Sequence, residues 1–192
     1  VLGDFNQARF EHHGRLTEFH RRGPRYIVRT EGADGQRRTY DVAEVLGVYP
    51  LQQLLIALPG GRLQAFGIAW DARPRTEGGQ RWFALYPDDP PAPGDPLHWS
   101  GREQNANFMC QGCHSTGFRA GYDANADTYR STQAERGVGC EACHGPGSGH
   151  RAWAQGGRAA TVLHKGFAAA QARLKPLRFS FLPGQPIAQP QG

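Results

Sequence analysis

All four cysteines of this 192-residue chain fall in one five-residue pattern, Cys-x-x-Cys-His, which occurs twice. The two copies are Cys110-Gln111-Gly112-Cys113-His114 and Cys140-Glu141-Ala142-Cys143-His144. Two thiols three positions apart can add across the two vinyl groups of one porphyrin, and the adjoining histidine then falls beneath the ring, where its nitrogen binds iron. The pattern predicts two covalent haems c, attached at Cys110 and Cys113 and at Cys140 and Cys143, with His114 and His144 as proximal ligands. Zinc sites and thiol-disulfide sites also use paired cysteines. A four-cysteine zinc site has no need of the two histidines, and the gap between the pairs exceeds the zinc-ribbon spacing. A thioredoxin-like dithiol comes singly within a βαβ pattern, which the neighbouring sequence does not supply.

The far side of each iron decides between carriage and catalysis. The single methionine, Met109, adjoins Cys110. It cannot circle the ring of its own haem, so it can meet only the other. Six histidines lie outside the motifs: His12, His13, His20, His98, His150 and His164. The link from His144 to His150 spans about 20 Å when fully extended. That is scarcely enough to pass a porphyrin edge, and the intervening glycines and proline favour a turn, so His150 is expected to serve a neighbouring haem. His98 has ample reach to either iron. His13 comes third, because Gly14 beside it lets the backbone approach a ring closely. His12, His20 and His164 sit among charged residues and read as surface positions. Two histidines on one iron leave no open position and a low potential, so outer-sphere electron transfer between redox partner proteins is the expected activity. Two alternatives differ in kind. One is an enzyme with an iron left open to a small nitrogen or sulfur compound; the other is a conducting filament in which His20 or His13 is donated between sister subunits.

Around these residues the sequence predicts an α+β protein: a small antiparallel β-sheet lobe and a loop-rich, short-helix dihaem-binding lobe. Residues 1–24 have no clear period and are read as a segment contributing histidines. Gly23-Pro24 breaks the chain, residues 25–30 alternate as a strand, and Ala33-Asp34-Gly35 is a hairpin signal with a returning strand over 38–48. A second hairpin is read from 51–58, Pro59-Gly60-Gly61 and 62–70, and a further strand from 81–86. This β-rich lobe, 25–98, either docks a partner or shields the haems. The proline-rich loop 87–96 marks a boundary. In the loop-rich dihaem lobe, 99–182, the pattern turns helical from Ser100 onward, where Ser100 and Glu103 are expected to form a capping box on a helix running toward Cys110. In the same lobe Gly145-Pro146-Gly147 ends the second motif helix, and further helices follow at 149–155 and 166–175. Residues 183–192 read as a linker-like tail.

Composition narrows the setting. With 26 glycines, 14 prolines and 39% hydrophobic residues, the chain is a loop-rich globule rather than a disordered one. No apolar run reaches the length of a membrane span. The first residues show no signal peptide, yet covalent haem attachment takes place outside the cytoplasmic membrane, so a processed secreted precursor in a periplasmic or extracellular setting is expected. Each ferric haem with two neutral histidines adds three positive charges against four negative ones. The formal +5 of the chain therefore becomes roughly +3, a balance suited to ordinary solubility or to an acidic partner. The basic residues of the C-terminal third are not interleaved with a nucleic-acid motif.

The residues from Cys140 to His150, Cys-Glu-Ala-Cys-His-Gly-Pro-Gly-Ser-Gly-His, resemble the signature of multihaem cytochromes c related to the tetrahaem carrier of ammonia oxidisers and to the hydroxylamine-oxidoreductase group. Val48-Tyr49-Pro50-Leu51-Gln52-Gln53, residues 59–71 with Arg73-Pro74, and Asp95-Pro96-Leu97-His98-Trp99 are similar to bacterial multihaem cytochromes that often continue into tetratricopeptide repeats. The likeness covers residues 1 to about 155. It implies further haem domains before and after this region, with this chain as a fragment of a longer cytochrome, so that His13, His98 or His150 could serve a haem outside it.

Overall fold

The computed structural model of the chain describes residues 3–167, 178–180 and 189–191. The chain forms two compact units, Val1–Gly139 and Cys140–Gly192, with one Cys-x-x-Cys-His motif in each.

The first unit is built on seven strands: β1 (Ala8–His12), β2 (Arg15–Arg22), β3 (Arg25–Glu31), β4 (Arg37–Leu46), β5 (Leu51–Leu58), β6 (Arg62–Asp71) and β7 (Arg81–Ala84). They pair antiparallel in sequence order, and β1 approaches β7, so the meander nearly closes into a barrel. Period-two alternation sends Thr17, Phe19, Val28, Leu54, Ile56, Phe66 and Trp70 inward, where they are buried. Trp82 stacks on Phe19 with ring centroids 3.8 Å apart. Trp99, from the loop after β7, packs edge-on against Phe66 and Tyr40 and donates its indole N–H to the Glu31 carbonyl at 2.8 Å. Register shifts at Val42/Glu44 and Gln53/Leu55 interrupt the ladders beside β5, a device that bends sheets.

These strands follow the hairpins expected over 25–86, but the α+β expectation is overturned. The protein is mostly β, and none of the described helices exceeds eight residues. Two segments account for the difference. Residues 1–24 contribute β1 and β2, joined at His13 and Gly14, both with positive φ. Residues 115–136, in the lobe expected to be loop-rich with short helices, form a ragged antiparallel ribbon. In it β8 (Ser115–Thr116) pairs with β11 (Glu135–Arg136), and β9 (Tyr122–Asp123) with β10 (Thr128–Tyr129). The capping box does not form either: Ser100 turns its hydroxyl to the His98 ring, and the short turn Arg102–Gln104 starts from Gly101 with no side-chain cap.

After α1 (Ala106–Met109) and α2 (Gln111–His114) of the first unit, the second begins with α3 (Cys140–His144) and continues with α4 (Ser148–Gln155). Gly145, with φ +73°, ends α3 and donates its N–H to the Glu141 carbonyl, the expected stop. A 3₁₀ turn, Leu163–Gly166, lies so close to α4 that a Cβ on Gly149 would stand 2.3 Å from the Gly166 carbonyl oxygen. Most of the helix expected over 166–175 lies outside the described residues. Of the linker-like tail, β13 (Gln189–Gln191) pairs with β12 (Arg178–Ser180), and the remainder lies outside them.

Candidate functional site

The first motif is positioned by the barrel wall. Leu55 and Ala65, on the outer face of β5 and β6, are buried under α1 (Ala106–Met109), and Cys110 packs against the same cluster. The chain kinks at Cys110 and resumes as α2 (Gln111–His114), where the Cys113 and His114 N–H groups both reach the Cys110 carbonyl at 3.1 Å. Asn107 fixes α1 to the sheet. It accepts from the Leu63 N–H at 2.7 Å and donates to the Gly61 carbonyl at 3.2 Å and the Ser131 hydroxyl at 2.8 Å. Gln111, fully buried, donates to Glu44 at 2.9 Å and accepts from Ser115 at 2.5 Å. The ribbon closes with the Gly139 N–H donating to the Thr116 hydroxyl at 2.9 Å.

Cys110 is half-buried and Cys113 exposed. Burial, and then the neighbouring Cys113, push the Cys110 thiol above its ordinary value. His114 lines an open cleft of about 400 Å³ with Glu44, Leu46, Val48, Arg136 and Val138. Val48 and Val138 are 69% and 60% exposed there, and apolar side chains standing in water beside the imidazole that follows a thiol pair suit the face of a porphyrin. Arg136, 80% exposed and 3.9 Å from Glu44, supplies a cation on the same wall. The donor set and its surroundings therefore fit a covalent haem.

In the second unit Cys140 and His144 line a cleft of about 570 Å³ with Glu141, His150, Arg151 and Phe167. Cys140 and Cys143 are exposed. His150 stacks on Phe167 at 4.3 Å and on Trp153 at 5.3 Å between centroids, and its Nδ1 is 2.9 Å from the Lys165 carbonyl. A carbonyl only accepts, so Nδ1 carries a proton, and in the neutral imidazole that leaves the lone pair on Nε2. That tautomer suits a metal ligand.

The other candidates are engaged differently. His98 is 6% exposed, and its Nδ1 receives the Ser100 N–H at 3.4 Å and lies 2.7 Å from the Ser100 hydroxyl. Burial, aided by the charge of Arg15 and opposed by Asp95, holds it below the ordinary histidine value. His13 and His12 both direct Nε2 at the Pro87 carbonyl, at 3.0 and 2.8 Å. Each must then carry its proton on Nε2. His20 lies on β2, and His164, with φ +50°, is exposed. Sequence reasoning missed Gln111 and Asn107, the side chains that seat the first motif. The only signal they gave was a polar residue beside an apolar stretch.

A family model described as cytochrome c554 and c-prime matches residues 97–145, a stretch that contains both Cys-x-x-Cys-His motifs. The match supports a cytochrome c, with covalently bound haem and a role in electron transfer. No curated protein and no solved structure matches the chain. Among the described residues no helix is long and apolar enough to cross a membrane.

Proposed function

We propose that the chain carries electrons through two covalent haems c, as part of a longer multihaem cytochrome working with redox partner proteins in the periplasm or outside the cell. Bound haem supplies a one-electron iron couple; the protein sets its potential and its surroundings. Cys110 and Cys113 anchor one ring and Cys140 and Cys143 the other, with His114 and His144 as proximal ligands. With a ring bound, Val48 and Val138 would cover its face against water, and Arg136 would offer charge to a carboxylate. His150 is the favoured distal ligand, because its Nδ1–H is held by a backbone carbonyl while Nε2 keeps its lone pair. Histidine on both faces favours ferric iron and a low potential, and leaves no position for substrate.

The observation that carries this reading is the repeated thiol-thiol-imidazole set, each copy at a short helix whose histidine lines an open cleft. Intact mass of the purified protein is expected to show two haem increments, falling to one in Cys110→Ser/Cys113→Ser. A mass with no haem ends the proposal. His150→Ala is expected to turn one haem high-spin and let it bind carbon monoxide when reduced, whereas the parent protein shows little Soret change. An identical response from both proteins removes His150 from the ligand set.

A further inference from the structure

The outer face of the barrel at β1, β2 and β3 carries more positive charge than the protein neutralises. Antiparallel register places Arg9 opposite Glu18 and Glu18 opposite Arg29, so the three lie side by side on one face. Glu18 is the single carboxylate on the floor of an open cleft of about 1050 Å³, which is also lined by Arg9, Arg21, Arg22, Arg29 and His20. Three guanidinium groups share it: Arg37 at 2.9 Å, Arg29 at 3.3 Å and Arg9 at 3.5 Å. Its partial burial works to raise the carboxyl, but the hydrogen bond and charge of Arg37, with Arg29 and Arg9, outweigh it and hold Glu18 below the usual range. Of the other acids on or beside these strands, Asp41 pairs with Arg25, Glu31 with Arg15 at 3.6 Å, and Asp4 accepts from the Asn6 N–H at 2.9 Å, while Glu11 stands exposed two residues from Arg9 on β1 and outside the lining of the cleft. Arg21 lies over the Tyr26 ring at 4.9 Å, which holds its flat donor fork in place.

We propose that this cleft docks the carboxylate-rich face of an acidic protein that exchanges electrons with the cytochrome. The inference rests on the electron-transfer reading above and adds the chemistry of the partner. Guanidinium groups bind carboxylates through paired N–H donors, and a concave surface of one sign speeds encounter with the opposite sign. The cleft already displays that recognition on Glu18. Nucleic acid fits less well, because the cleft has no exposed Phe, Tyr or Trp on which successive bases could stack, Phe5 being 3% exposed. A membrane surface fits less well because no exposed apolar side chain lines the cleft to enter lipid.

The test titrates the holoprotein with poly-L-glutamate, with vesicles containing phosphatidylglycerol and with oligothymidylate, at low and high salt. Poly-L-glutamate is expected to bind at low salt and to be released by salt. Arg21→Glu/Arg22→Glu is expected to weaken that binding at least about tenfold, and Arg21→Lys/Arg22→Lys to retain most of it. Both pairs lie on the exposed end of β2, and far-UV circular dichroism checks the fold. Unchanged binding in the Glu variant, an equal loss in the Lys variant, or preference for vesicles or oligothymidylate overturns the proposal. Haem content, read from the absorption spectrum of the same samples, reports separately on the electron-transfer reading. A protein that binds poly-L-glutamate but lacks haem would sink that reading and leave the acidic docking surface standing.

Discussion

Which nitrogen of each histidine is already engaged separates the candidates for iron. The sequence names His150, His98 and His13 as possible ligands; backbone carbonyls set the engaged nitrogen of His150 and His13, and Ser100, two residues on, that of His98. For His13 that carbonyl belongs to Pro87, 74 positions along the chain. The attachment residues were legible at once, because Cys-x-x-Cys-His is itself a chemical requirement; the state of a distal imidazole is a tertiary fact. Asp71 is set more locally: its side chain is 7% exposed and is held by Arg73, two residues on, through Nε at 3.0 Å and Nη2 at 2.6 Å. The Arg73 hydrogen bond lowers its pKa to about 2 against the opposing effect of burial. A carboxyl lowered on folding stabilises the protein above its unfolded value, near 3.8, and that contribution fades as pH falls toward about 2. Asp71→Asn is expected to lower the thermal midpoint by a few degrees at neutral pH. It should also flatten the loss of stability between about pH 4 and pH 2. Midpoints recorded across that range check it, and parallel curves for the two proteins would contradict it.

At the scale of elements, strands β3 to β7 could be read from alternation and from the Asp-Gly and Pro-Gly-Gly turns. Strands β1 and β2 could not. The inward side of β2 carries Thr17 as well as Phe19, which blurs the period. The hairpin turns on His13 and Gly14, where His13 has φ +49° in place of the usual asparagine. The ribbon 115–136 was hidden by its own raggedness, since pairs of two residues are too short for a period to show. Short helices around the first motif are held by side chains rather than by length. Asn107→Ala removes three hydrogen bonds from a buried position and is expected to cost about 1–3 kcal/mol. Urea unfolding followed by tryptophan fluorescence measures the cost, and a change below about 0.5 kcal/mol would show that packing under α1 suffices.

For the whole molecule, the balance of strand over helix reverses the expected class, because the barrel and the ribbon fill most of the first unit. Each unit holds its own attachment motif, so the two can be separated by experiment. A chain ending at Gly139 is expected to keep the near-ultraviolet circular dichroism of the Trp82–Phe19 stack and to gain one haem increment by mass instead of two. Loss of that signal would show that the barrel requires the second unit.

The two interior positions of the first motif face opposite demands. Gln111 is sealed beneath the barrel wall with its amide committed on both sides, while a Cβ at Gly112 would meet nothing within 4 Å. Saturation of these neighbouring codons would therefore yield a narrow set of survivors at one and a broad set at the other, although the pattern writes both as the same free letter.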